Sequence, residues 1–267
     1  MPELPEVETV RRGLEPGLVG RTIVGARCTT NRKFTSAPDA VGAQIESVAR
    51  RGKYLIVGLL DGRELVIHLG MTGVLAFASD PPRGPHERAA WELDNGTWLT
   101  FTDVRQFGRI AVVDEGCYES MATLAALGPE PFDPELDATT FWRSLRRSKQ
   151  RLKTRLLSQR AIAGVGNIYA DEACWLARVN PASRKVTRAE AERLLDAIRQ
   201  VLASGIANGG TTLRDYRTVT GQTGSNQHQL NCYGRAGEPC PRCGAPLASK
   251  VYDGRTTTWC RACQPSR

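Results

Sequence analysis

The chain has no apolar run long enough to cross a bilayer and nothing that resembles a secretory signal, so it reads as neither a membrane-spanning nor a secreted protein. It also lacks internal repeats and low-complexity tracts. With 267 residues, 41% of them hydrophobic, it can bury a sizeable core and is expected to split into more than one globular domain. Acid is missing from one place in particular. Residues 143–160 hold Arg143, Arg146, Arg147, Lys149, Arg151, Lys153, Arg155 and Arg160 without a single Asp or Glu. Over the whole chain 36 Lys plus Arg stand against 28 Asp plus Glu, a net charge of +8. That excess points to a polyanionic partner, and the acid-free block is a candidate phosphate-contacting surface.

Cysteine is scarce outside the last thirty residues, where Cys240, Cys243, Cys260 and Cys263 form two C-x-x-C pairs. This spacing is that of a four-cysteine zinc ribbon with tetrahedral thiolate ligation. All four positions would be filled by protein sulfur, so the ion is expected to be structural, one Zn2+ with no open site for a substrate. Two disulfides are the alternative, and the lack of a secretory signal counts against them. Cys28, Cys117, Cys174 and Cys232 have no ligand spacing and read as reduced thiols.

The chain opens Met1-Pro2-Glu3, and a small second residue permits removal of the initiator methionine. The mature protein would then begin with a secondary amine. A free terminal amine has a pKa of roughly 7.7–8, so a useful fraction is neutral and nucleophilic near neutral pH and can attack a sugar aldehyde carbon. Glu3 and Glu6, three positions apart, would share one face of the helix that starts here. A plain helix start, with proline and acids in its first turn, would look the same.

Leu4, Val7, Val10 and Leu14 recur at helical spacing, predicting an amphipathic helix over 3–14 closed by Gly13 and Pro16. Short β runs follow at 54–60, 64–69, 89–93, 97–102 and 109–113, the pattern of a sandwich or barrel. Asp94-Asn95-Gly96 predicts a type I′ hairpin turn between two of them. The proline-rich segment 129–134 marks a domain boundary, and 135–208 reads as mostly helix. There, Thr187 and Glu190 form a capping box ahead of the stripe Leu194, Leu195, Ile198, Val201 and Leu202. Gly164-Val165-Gly166-Asn167 opens another helix and suits either an ordinary helix–helix turn or a backbone clamp on a phosphate, with no preceding strand to make it a nucleotide pocket.

The motifs MPELPEVETVRRGL, RRGKYL, HLGMTG, TDVRQFGR, LGPEP, AGVGNIYADE, GGTTLRDY, YGR and the cysteine ribbon occur in order over nearly the whole chain. Together they resemble bacterial formamidopyrimidine-DNA glycosylases. The resemblance implies an α+β multidomain fold: an N-terminal helix on an antiparallel β-sandwich (1–131), a helix-two-turn-helix domain with a lesion-capping loop at about 217–230 (132–230), and a zinc finger (231–267). It implies base-excision repair of duplex DNA, in which the damaged nucleotide is flipped out, attacked at its anomeric carbon by Pro2, and excised, with β- and δ-elimination then cutting the strand. Glu3 would be the general acid, with Glu6, Lys53, Glu172 and Arg255 supporting the chemistry. Lys53, His68, Asn167 and Arg255 match the family's phosphate contacts, with His86, Lys153 and Tyr233 also expected at the DNA. Met71, Arg105 and Phe107 match the side chains that enter the duplex and fill the hole left by the flipped base.

Oxidised guanine and ring-opened purines are the implied substrates. Two departures bear on that choice: Gln106 stands where the family often has arginine, and Asn226 where the capping loop usually has phenylalanine. Oxidised pyrimidines and abasic sites are therefore alternative substrates, and a damage-binding protein without chemistry is an alternative of another class. A bacterial cytoplasmic, nucleoid-associated monomer is expected, with DNA as its partner and no membrane association.

Overall fold

A computed structural model describes residues 1–81 and 84–266. The first helix, α1 (Leu4–Leu18), runs a turn beyond its expected end and carries Pro16 inside it. Its apolar stripe explains the extension, because Leu18 continues the series Leu4, Val7, Val10 and Leu14 and is as fully buried as they are. Each such side chain contributes roughly 1.5–3 kcal/mol on burial.

Eight strands follow: β1 (Ile23–Cys28), β2 (Ile45–Arg51), β3 (Tyr54–Leu59), β4 (Arg63–His68), β5 (Gly73–Ala78), β6 (Glu87–Leu93), β7 (Trp98–Asp103) and β8 (Arg109–Asp114). They form two antiparallel four-stranded sheets, ordered β1-β6-β7-β5 and β2-β3-β4-β8. Their inner faces share one apolar cluster with the stripe of α1, in which Phe34, Leu55, Leu65, Trp91 and Phe101 are the bulky members. This is the expected sandwich, with three strands beyond the expected five. β1, β2 and β5 carry Gly, Arg, Ser or Ala among their apolar positions, so their alternation is weak in the sequence. The 94–96 turn is a hairpin, but only Gly96 takes a positive φ, +80°. Leu93 N–H donates to Thr97 O at 2.8 Å across a three-residue loop, so the turn is the bulged three-residue kind rather than type I′.

Next come the short α2 (Ala122–Ala125), then α3 (Ala138–Arg146), α4 (Leu152–Leu157), α5 (Asn167–Leu176) and α6 (Arg188–Ala207), and finally the hairpin β9 (Leu247–Tyr252) and β10 (Arg255–Cys260). The capping box at α6 forms as expected: Thr187 N–H donates to Glu190 Oε2 at 2.8 Å and Glu190 N–H to Thr187 Oγ1 at 3.2 Å. The chain divides into two compact units, Met1–Ala125 with Ile206–Gln227, and Ala126–Gly205 with His228–Arg267. The expected three parts are distributed over these two units. The first unit's opening stretch ends at Ala125, most of the expected capping loop joins that unit, and the ribbon joins the helical one. The helical unit ties to its ribbon through Gln264, whose Nε2 donates to Val179 O and whose Oε1 accepts from Cys260 N–H, both at 2.9 Å. Among the described residues, no helix is long and apolar enough to cross a membrane.

Candidate functional site

In the N-terminal unit Pro2 is buried while Met1 is 53% exposed. Glu3, also buried, is the N-cap of α1, and its N–H donates to Glu6 Oε2 at 2.8 Å. The other Glu6 oxygen accepts from Thr211 N–H at 2.7 Å. Gly210 takes φ +85°, and a Cβ there would lie 3.0 Å from Glu6 Cγ, so the backbone of this segment closes directly on the carboxylate. Glu6 therefore clamps the start of α1 to residues 210–211, and both its oxygens are engaged in doing so.

Lys53 is buried in the two-residue turn between β2 and β3. On β4, His68 is paired with Tyr54, their rings 4.7 Å apart. His68 Nδ1 accepts from Gly70 N–H at 3.2 Å, which leaves Nε2 as the donor of a neutral ring. Burial and the Lys53 charge push the His68 pKa down to about 4, against the pull of Asp103. The imidazole is thus a neutral donor beside a cation, suited to a phosphate oxygen.

Met71 is 37% exposed and Phe107 49%, although in isolation both would be read as core. The Arg105 guanidinium lies 4.8 Å from the Phe107 ring centroid. Gln106 between them takes a left-handed φ of +54°; its Oε1 accepts from Asn31 Nδ2 and its carbonyl from Lys33 Nζ, each at 2.8 Å. His86 is exposed, and its carbonyl accepts Asp103 N–H at 2.9 Å, so it borders the same loop. Asn226 is buried, its Nδ2 donating to Thr211 Oγ1 at 2.9 Å, so it anchors its segment rather than presenting a side chain to a ligand.

In the second unit the Gly164–Gly166 segment leads into α5, whose first residue is Asn167. Asn167 Nδ2 lies 3.3 Å from Tyr233 Oη. Glu172, one turn on, accepts backbone N–H groups of Asn231, Cys232 and Tyr233, each at 2.8 Å. Its carboxylate holds the 231–233 loop and places Tyr233.

Arg255 is exposed and begins β10, immediately after the turn Asp253-Gly254. Both turn residues have positive φ, +48° and +75°, the type I′ geometry expected at 94–96 and found here instead. Asp253 accepts from Thr154 Oγ1 and from Arg151 NH1 at 3.1 Å, fixing the tip. Lys153, expected at DNA, is only 3% exposed: its ammonium lies 2.7 Å from Asp171 Oδ1 and 2.7 Å from Thr256 O. Asp171 Oδ2 accepts Thr258 N–H at 3.0 Å. Burial lifts the Asp171 pKa to about 7 even though Lys153 pulls it down. The acid-free block is therefore not one surface. Arg155 is also buried, donating to the carbonyls of Leu145, Ser183 and Arg184, and only part of the block faces solvent.

The four ribbon sulfurs lie within 4.8 Å of one another. Tetrahedral bonds of about 2.3 Å would set them about 3.8 Å apart, so the cluster fits one zinc ion. Trp175 Nε1 donates to Cys240 Sγ at 3.4 Å, and Cys263 N–H to Cys260 Sγ at 3.4 Å, the kind of support that thiolate ligands receive.

Sequence reasoning passed over Asp103, Thr72 and Asp171. For Asp103 a signal existed. Leu99, Phe101 and Asp103 share one face of β7 by alternation, which puts a carboxylate on the buried side of the sheet and demands partners for it.

Three family models match: the formamidopyrimidine-DNA glycosylase N-terminal domain at residues 1–110, its H2TH domain at 127–217, and a zinc finger found in FPG and IleRS at 237–265. Among curated relatives, the formamidopyrimidine-DNA glycosylase of Deinococcus radiodurans is 42% identical over 280 residues, covering 100% of this chain and 98% of the relative. That of Thermus thermophilus is 46% identical over 268 residues, covering 99% and 98%. Among solved structures, the MutM (Fpg) protein of Thermus thermophilus superposes with a TM-score of 0.92 at 45% identity over 100% of both chains. Lactococcus lactis Fpg in complex with abasic-site DNA gives 0.89 at 35% identity, over 98% of this chain and 99% of that one. A mutant of the same enzyme with Fapy-dG DNA gives 0.90 at 36%, over 99% and 100%. With these matches over its full length, the chain belongs to the formamidopyrimidine-DNA glycosylase family.

Proposed function

We propose that this protein is a bifunctional DNA glycosylase and abasic-site lyase that removes oxidised or ring-opened purines from duplex DNA. The observation that carries this reading is the start of α1. A proline follows an exposed methionine, and the adjoining glutamate is held at the helix N-cap by Glu6. Once Met1 is removed, the Pro2 nitrogen is a secondary amine. It attacks C1′ of the flipped nucleotide, the glycosidic bond breaks with its electrons leaving on the base, and an iminium forms as the sugar ring opens. Glu3 supplies the proton that ring opening needs. Loss of the 3′ phosphate by β-elimination and of the 5′ phosphate by δ-elimination follows, and water then releases the amine.

Lys53, neutral His68, Asn167, Tyr233 and Arg255 would hold phosphates, His86 would approach the backbone, and Met71, Arg105 and Phe107 would enter the duplex. Glu6 and Glu172 act on the fold around these groups. Zinc, bound by the four cysteines, supplies structural rigidity to the hairpin that carries Arg255. The protein would work as a cytoplasmic monomer on DNA.

One observation favours a second reading of the substrate. Residues 217–230 contain no Phe, Tyr or Trp, and Asn226 is turned inward, so the ring this segment offers a flipped base is the small imidazole of His228. The same chemistry could then favour oxidised pyrimidines or abasic sites.

The test is incubation with duplexes carrying 8-oxoguanine, ring-opened guanine, an oxidised pyrimidine or an abasic site. The expected result is β,δ-cleavage at the purine lesions. Cleavage confined to pyrimidine or abasic substrates would transfer the assignment to the second reading, and binding without cleavage on all four would refute the enzymatic one.

A further inference from the structure

The three side chains placed above as a duplex wedge come from two separate loops, Met71 from the one after β4 and Arg105 and Phe107 from the one between β7 and β8. A single carboxylate joins those loops. Asp103, 0% exposed, accepts the Thr72 hydroxyl on Oδ1 at 2.5 Å and the Gly108 N–H on Oδ2 at 2.7 Å. A hydroxyl has one proton to give, and Thr72 gives it to Asp103, so its oxygen is left to accept; it takes the Arg105 N–H at 3.0 Å. The chain of bonds thus runs from the loop of Met71 through Asp103 to both ends of the segment 105–108. Asp103 is itself fixed, its carbonyl accepting Arg88 Nε at 2.8 Å.

The two loops also touch directly. A Cβ on Gly70, which takes φ +65°, would lie 2.4 Å from the Gly108 nitrogen, a separation no side chain tolerates. From the outer side, Asn31 and Lys33 grip Gln106. An exposed apolar side chain gains nothing from such a mount in the free protein. A wedge that must displace stacked bases does gain, because ordering two loops on binding would subtract from affinity.

We propose that Asp103 and Thr72 are positioning residues that lock Met71, Arg105 and Phe107 into one preformed wedge. This rests on the reading that those three side chains enter the duplex. Thr72→Val keeps the shape and removes the hydroxyl; Thr72→Ser keeps the hydroxyl.

The experiment measures single-turnover excision from a lesion duplex, and strand cleavage at an abasic site in single-stranded DNA, where there is no stack to penetrate. T72V is expected to slow duplex excision about tenfold more than single-strand cleavage. T72S should restore the duplex rate to within about twofold. In a Met71→Ala/Phe107→Ala background, T72V should add less than about twofold, because no wedge is left to misplace. Hydrogen exchange in the free protein gives an independent readout, with the Arg105 and Gly108 amides losing protection in T72V but not in T72S.

Equal losses on the two substrates, or a T72V loss undiminished in the wedge-less background, would overturn the proposal while leaving the wedge itself standing. If M71A and F107A leave duplex excision unchanged, the wedge reading fails, and the proposal with it.

Discussion

Each unit presents an exposed side chain on a buried polar mount, and the two mounts are built differently. In the N-terminal unit, Met71, Arg105 and Phe107 stand on a carboxylate satisfied by neutral donors, the Thr72 hydroxyl and the Gly108 amide. In the C-terminal unit, Arg255 stands on a hairpin held by the Lys153–Asp171 ion pair and by four cysteines. The first mount draws on strand ends and the loops beside them, around a core of some two dozen apolar residues. In the second, the ribbon itself has a far smaller apolar cluster, around Trp175 and Leu247, so it draws on a metal and on charges brought from α4 and α5, whose Leu152, Leu156 and Tyr169 are buried in the helical part of the unit. A large core lets hydrogen bonds finish the placement of a side chain, whereas a small one needs ionic and metal bonds to make the fold.

Removing zinc should separate the two most sharply. Metal binding in structural sites of this type contributes about 10–16 kcal/mol to folding. A chelator, or Cys260→Ser, is expected to abolish amide protection along β9 and β10 and to weaken DNA binding, while protection along β6 and β7 persists. Hydrogen exchange read by mass spectrometry checks both halves at once, and equal loss in the two sheets would remove the distinction.

A smaller effect is expected from the ion pair. Lys153→Met leaves Asp171 buried without its cation and should destabilise the second unit by about 3–5 kcal/mol. Lys153→Met with Asp171→Leu should recover much of that loss, since no lone charge is left behind. Urea unfolding of the two variants tests this. If the double variant is no better than the single, the ion pair is making a net contribution of its own.

How legible these features were in the sequence follows from where their partners lie. The cysteine ribbon, the α6 capping box and the stripe of α1 are short-range patterns, and each was readable from spacing. Exposure of Met71 and Phe107 was not, because an apolar residue signals core by default, and only the resemblance of HLGM and VRQFG to a family suggested otherwise. The burial of Lys153 was hidden for the opposite reason: it sits in a run of cations, yet its partner Asp171 comes eighteen positions later, on the next helix. Glu6 and Thr211 are more than two hundred positions apart, and nothing local announces such a clamp. The type I′ turn was expected at Asp94-Asn95-Gly96 and occurs at Asp253-Gly254, where the ribbon hairpin closes on two residues instead of three.

The smallest predicted effect concerns His68 in the first mount. A free imidazole titrates near 6.5, and here burial and Lys53 push it down to about 4. The folded protein resists a proton that the unfolded chain accepts. His68 therefore contributes stability fully above pH 6.5, and that contribution is lost as the pH falls toward 4. An NMR titration should place its midpoint well below that of a free imidazole. A midpoint near 6.5 would mean that the ring is open to solvent and free to act as a cation.

The proposed chemistry turns on the N-terminal proline as nucleophile. The most direct measurement is to trap the protein on an abasic duplex with borohydride, digest the adduct, and locate the modified residue by mass spectrometry. The expected adduct is a chain that begins at Pro2, with the sugar remnant on its nitrogen, and no adduct forms in Pro2→Gly. An adduct on a lysine such as Lys53, or efficient trapping by protein that retains Met1, would contradict it.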